Sequence, residues 1–230
     1  MPLYKNQNID WYRHMAFACV GGFFGAYAIM CRGGIMGSAQ TMNLLEMVID
    51  ALYGRGFNML EHFGAFALYV LATMLTVLLP FWWKINVRRL SPFVTAAAAV
   101  IECFLSTDVE IVLALYPIFF AMGFQWSSFG GARGFYSSTI FSTNNTKQAT
   151  LALAEYLCTK DRRQLRRLSL FGTTLLSFHT GAVVGVGAVH FWGVRGALWS
   201  LPLIAWSFFM VTQEERAETL KAAAEQTQSA

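Results

Sequence analysis

Charge is what this sequence has least of: 13% of its 230 residues are Asp, Glu, Lys or Arg, about half the usual share. With 56% apolar residues and 20 Phe, too little polar surface remains to coat a water-facing globule, which excludes an ordinary soluble domain. Proline is scarce, with five residues, and no stretch rich in Pro, Ser or Gly interrupts the chain, so one domain without a flexible linker is expected. The four cysteines, Cys19, Cys31, Cys103 and Cys158, lack the paired spacing of metal or redox sites; no metal and no cofactor is expected. Also missing are a Walker A loop, a Rossmann glycine motif and a nucleophile elbow. An enzyme is therefore not the expected class, and the pair Glu61-His62 reads as a helix start.

What is present is a series of long apolar runs. Six read as membrane spans: 11–30, 63–83, 92–105, 109–126, 168–189 and 194–211. The first is long enough to cross at about 1.5 Å per residue and reads as a retained span, not a cleaved signal. Ser106-Thr107-Asp108 makes a tight hairpin, Pro92 suits a first helical turn, and Pro117 is expected to kink the fourth span. Trp11, Trp82, Trp83, Trp192 and Trp199 fall near run ends, where interfacial anchors belong. With a cytoplasmic N-terminus, the inner flanks hold Lys5, Arg13, Lys84, Arg88, Arg89, the five cations of 160–167, Arg216 and Lys221. The outer flanks hold only Arg32, Arg55 and Arg195, as the positive-inside rule requires. The net charge of +4 is thus a matter of orientation, and no nucleic-acid partner is expected. Residues 1–10 and 213–230 are the cytoplasmic ends, the latter a solvated polar tail.

Two segments do not fit this count. Residues 31–53 and 130–157 each begin with glycines (33, 34, 37; 130, 131, 134), pass through a Ser/Thr/Asn/Gln cluster and end in a short helical pattern. Residues 43–53 would reach only about 17 Å as a helix. The segments match at a constant offset of 105: Ser38 aligns with Thr143, Gln40 with Asn145, Thr41 with Thr146, Asn43 with Gln148 and Asp50 with Glu155. Upstream, Gly22-Phe23 matches Gly123-Phe124 at an offset of 101. The chain thus reads as two copies, 11–106 and 107–212, of one unit: span, broken segment, span, span. An odd number of crossings inverts the second copy. The loops agree, since 53–61 carries Arg55 and Glu61 where 158–167 carries five cations against Asp161. The expected fold is all-α: an integral membrane helical bundle of about six transmembrane helices plus two half helices, in two inverted three-span repeats. Such repeats with broken helices place a solute site near the bilayer midplane.

At Gly33-Gly34, Ser38-Ala39-Gln40-Thr41, Asn43, Phe124-Gln125-Trp126, Ser138 and Thr143-Asn144-Asn145 the chain resembles YoaK-type bacterial membrane proteins, over about residues 15–210. The resemblance implies a multi-pass protein of the bacterial plasma membrane and no particular activity.

Irregular backbone is tolerated at membrane depth only where protein or water satisfies it. Ser38 or Thr41, and Thr143 or Asn144, are expected to cap the two short helices. Their starts, entering from opposite leaflets, would present positive dipole ends to a small polar or anionic solute, with Arg133 and Lys147 nearby. The expected solute contacts are Ser38, Gln40, Thr41, Asn43, Gln125, Thr143, Asn144, Asn145 and Thr146. Glu102, within an apolar run, and His179 are candidates for proton coupling. The competing account is packing: Ser, Thr and Asn also join membrane helices at about 0.6 kcal/mol each. Gly21, Gly22 and Gly25, and Gly181, Gly185 and Gly187, read as faces for close helix contact. The bundle permits a homodimer.

Overall fold

A computed structural model describes residues 9–36 and 38–228; Lys5 and Gly37 lie outside them. Helix α1, Ile9–Cys31, ends in a turn where Gly33 and Gly34 take φ of 61° and 82°, a left-handed conformation that glycine adopts freely. Short helix α2, Gln40–Leu52, leads into α3, Gly56–Trp83, and α4, Val87–Phe104. After the expected hairpin, tied by Ser106 Oγ to Asp108 Oδ2 at 3.0 Å, come α5, Ile111–Ala114, and α6, Tyr116–Ser128. A β-hairpin, β1 Gly131–Ala132 and β2 Phe135–Tyr136, precedes α7, Thr143–Thr159. Helix α8, Arg162–Trp192, a 3-10 segment Gly193–Ser200, and α9, Leu201–Gln228, complete the order.

The fold is helical as expected, with three stretches among the described residues long and apolar enough to cross a membrane: α1, α3, and a third from Arg162 to Thr227 that takes in α8, the 3-10 segment and most of α9. Their outward faces are apolar: Val77 of α3 is 68% exposed and Val183 of α8 is 72%. Apolar faces of this extent mark association with a membrane. The other boundaries differ from the sequence reading. The 92–105 run begins earlier, because Asn86 caps α4 by accepting from Arg89 N at 3.2 Å, and Pro92 falls inside the helix instead of at its first turn. The 109–126 run is broken, not merely kinked, between α5 and α6, where Pro117 lies in the first turn of a new helix; its ring cannot continue the preceding ladder. The tail from Gln213 is not simply solvated. Helix α9 runs on through it, and Glu214, 6% exposed, bonds Arg13 at 3.0 Å and also Arg88. Buried carboxylates need such partners.

Close backbone contact positions the long helices. A Cβ on Gly22 would lie 1.7 Å from the Phe178 carbonyl oxygen, and one on Gly181 would lie 1.8 Å from that of Cys19. Gly185 is similarly tight against Phe23, whereas Gly187 faces open space and does not share the contact expected of it. Helix α1 packs against α8 and α9, while α6 packs against α3 and α4; α2 lies on α3, and α7 on α8. Phe23, Phe24 and Tyr27 of α1 meet Ile118, Phe119 and Met122 of α6 in the buried core.

Candidate functional site: a cavity between two helix starts

Helices α2 and α7 begin at the same cavity. It has a volume of about 650 Å³ and is lined at one helix start by Gln40 and Thr41, and at the other by Ser142 and Thr143. Gly22 and Gly25 of α1 leave it room, and Tyr69, Trp126, Phe141 and Phe178 give it aromatic walls. Among the described residues no Lys, Arg, Asp or Glu lines it. The N-cap positions are Ala39 and Ser142, and neither makes a side-chain cap bond. This corrects the expected caps: Ser38 Oγ donates instead to the Ile140 carbonyl at 3.3 Å, and Thr41, Thr143 and Asn144 fall within the helices. Two uncapped helix starts facing one space supply N–H donors and positive dipole ends without a formal charge. Gln40 Nε2 is buried without a partner among the described residues.

The expected solute contacts divide into two groups. Gln40, Thr41 and Thr143 line the cavity. Ser38, Asn43, Gln125 and Asn145 are buried in internal hydrogen bonds. Asn43 Nδ2 donates to the His62 carbonyl at 2.9 Å, and its Oδ1 accepts from His62 Nδ1 at 2.8 Å. His62 Nε2 lies 3.6 Å from Asp50 Oδ2, and Asp50 Oδ1 takes Arg55 Nε at 2.8 Å. On the other side, Asn145 Nδ2 donates to the carbonyls of Ser138 and Phe141 at 2.7 and 3.0 Å. Its Oδ1 accepts from Ser137 Oγ, which lies 3.0 Å from His14 Nε2. Each asparagine pins a helix start, and each chain includes an imidazole, His62 in one and His14 in the other. Gln125 Nε2 donates to the Phe17 carbonyl and to Thr139 Oγ1 at 3.2 and 3.1 Å. Asn144 lines a separate cavity of about 430 Å³ with Ser137 and Ser138, and Thr146 is exposed, its Oγ1 donating to Ser142 O at 3.0 Å.

The proton-coupling candidates also change. Glu102 is not isolated: fully buried, it receives Arg32 Nη2 at 3.2 Å, and Arg32 Nη1 donates to the Ser106 carbonyl at 3.1 Å. Arg32, assigned to an outer flank, is itself only 2% exposed. His179 is exposed on α8 and bonds its own helix through Leu175 O at 2.7 Å. Arg133 does not line the cavity; its guanidinium stacks over Trp11 at 4.9 Å. Lys147 is exposed and also away from the cavity. His14 and Ser137 were not singled out from sequence, His62 stood out only in the Glu61-His62 pair read as a helix start, and Arg32 only as an outer-flank cation. A signal existed for Arg32 alone, as a charge at the end of an apolar run that could match Glu102.

These features define an all-helical, membrane-associated protein with two short helices opening on a shared, partly open cavity. The family is shown directly: residues 14–211 match the family described as "Protein of unknown function (DUF1275)", and the chain belongs to it. No curated protein and no solved structure matches the chain.

Proposed function

We propose that this chain is a YoaK-type permease for a small organic anion or polar neutral solute, built from two inverted three-span repeats with both termini cytoplasmic. The carrying observation is the convergence of the α2 and α7 starts, both without side-chain caps, on one cavity. First-turn amides without side-chain caps suit a carboxylate or carbonyl oxygen, and the aromatic walls suit a small apolar body. The repeat reading is supported by exchange of packing partners: α1 meets α8 and α9 as α6 meets α3 and α4. Swapping the copies turns one set of contacts into the other.

A second reading, a membrane protein that transports nothing, is favoured by one observation. Ser38, Asn43, Gln125 and Asn145 spend their polar groups on internal bonds, as packing residues do. Uptake of a panel of organic anions into proteoliposomes separates the two. The permease reading expects uptake that Gln40→Ala and Thr143→Val reduce while thermal stability holds. Absence of uptake for the whole panel, with folded protein in the vesicles, favours the second reading.

A further inference from the structure

We propose that the start of α8 is a binding site for an anionic phosphate ester, the headgroup of an acidic phospholipid. The proposal is independent of what crosses the bundle. Lys160, Arg162, Arg163, Arg166 and Arg167 fall within eight residues, and the acids near them are already engaged. Asp161 Oδ1 caps Arg163 N at 2.8 Å, and Glu155 takes Arg167 Nη1 at 3.3 Å. Four of these cations stand in the first two turns of a helix of 31 residues with no acid in its first turn. That is the positive end of the helix dipole, where cations are unfavourable and anions stabilise. Asp161 at the N-cap already answers the dipole, and an external anion relieves the mutual repulsion of the cations that remains.

The anion also has a place to sit. A cavity of about 370 Å³ is lined by Arg163 and Arg167, one helical turn apart, by Gln148 and Gln164, and by Tyr136 and Phe171. Arg167 donates to the side-chain oxygens of Gln148 and Gln164, which fixes its guanidinium and leaves both amide NH₂ groups as donors. With the Nη atoms of Arg167 spent on Glu155, Gln148 and Gln164, the planar guanidinium open to phosphate oxygens is that of Arg163, which is exposed on the same wall. Directly after Arg167 the helix turns apolar with Leu168, Leu170 and Phe171, which puts the cluster at the end of a stretch of membrane-crossing length. Basic clusters at that level take acidic headgroups.

The test uses the full chain in detergent, with phosphatidylglycerol, phosphatidylcholine and inorganic phosphate as probes, read by native mass spectrometry and melting temperature. Phosphatidylglycerol is expected to stay bound and raise the melting temperature where phosphatidylcholine does not, with the effect fading as salt rises. Arg163→Gln and Arg166→Gln, both at exposed positions, should each weaken retention about fivefold. The matched tail variants Arg216→Gln and Lys221→Gln should leave it unchanged. Equal protection by inorganic phosphate would keep the phosphate chemistry and replace the lipid by a soluble source. The proposal is overturned if the two lipids are indistinguishable and phosphate is inert, or if the tail variants lose as much retention as those in α8.

Discussion

Glu102→Gln is the substitution with the sharpest expected cost. Glu102 is 0% exposed and Arg32 2%, their closest approach is 3.2 Å, and the Ser106 carbonyl takes another arm of the same guanidinium. The amide keeps the size of the side chain but leaves a buried cation whose charge nothing balances. Breaking such a pair costs about 3–5 kcal/mol. Replacing both partners by apolar residues, Arg32→Met with Glu102→Leu, removes the stranded charge and should return to within about 1 kcal/mol of the parent protein. Arg89→Gln is the control, because Arg89 is 58% exposed in its pair with Glu215 and should lose less than about 1 kcal/mol. Unfolding in mixed micelles at rising SDS fraction, followed by Trp fluorescence, measures all four proteins. The reasoning is refuted if Glu102→Gln costs no more than the control, or if the double variant is as unstable as the single. Should Glu102→Gln leave stability intact and change only the pH dependence of uptake, the carboxylate is a proton carrier and the pair is not structural.

Other expectations follow from the packing and from the pinned helix starts. Gly22→Ala and Gly181→Ala place a methyl against a backbone carbonyl and should cost at least about 1–3 kcal/mol, whereas Gly187→Ala, facing open space, should be neutral or stabilising by about 0.5–1 kcal/mol. The same micelle titration ranks them. Asn43→Ala strands His62 Nδ1 and the His62 carbonyl and should destabilise by about 2 kcal/mol; Thr146→Ala, on an exposed turn, should stay within about 0.5 kcal/mol. Hydrogen exchange should show the loss in Asn43→Ala concentrated in α2.

Much of the helical layout was legible because membrane spans write themselves as apolar length. The cores of α1 and α8, and the glycine contact between them, follow from runs and small residues, whereas α8 begins six residues before the run read at 168, in the basic stretch from Arg162. The short helices were legible for the opposite reason, as polar clusters where apolar length was expected. Partnership between distant charges was not legible. Arg32 and Glu102 are 70 residues apart, and Arg13 and Glu214 lie further apart still, so sequence offers each as a lone charge and only the fold makes it a pair. The break before α6 was visible as Pro117, but whether a proline kinks or splits a helix depends on neighbours that sequence does not show.

The asparagines carry the remaining lesson. Asn43 and Asn145 stood out as solute ligands because a polar amide in an apolar chain must be satisfied by something. Both are satisfied by protein, one on His62 and the other on Ser137 and Ser138. What this holds in place is the first turn of each short helix, whose own amides have no side-chain cap. In the proposed permease the asparagines therefore act by fixing where backbone donors sit, and the solute is met largely by main chain. Substitutions in the pinning chains should then act through stability, while cavity side chains such as Gln40 should act on uptake alone. A scan in which the two groups give indistinguishable phenotypes would break that division of labour.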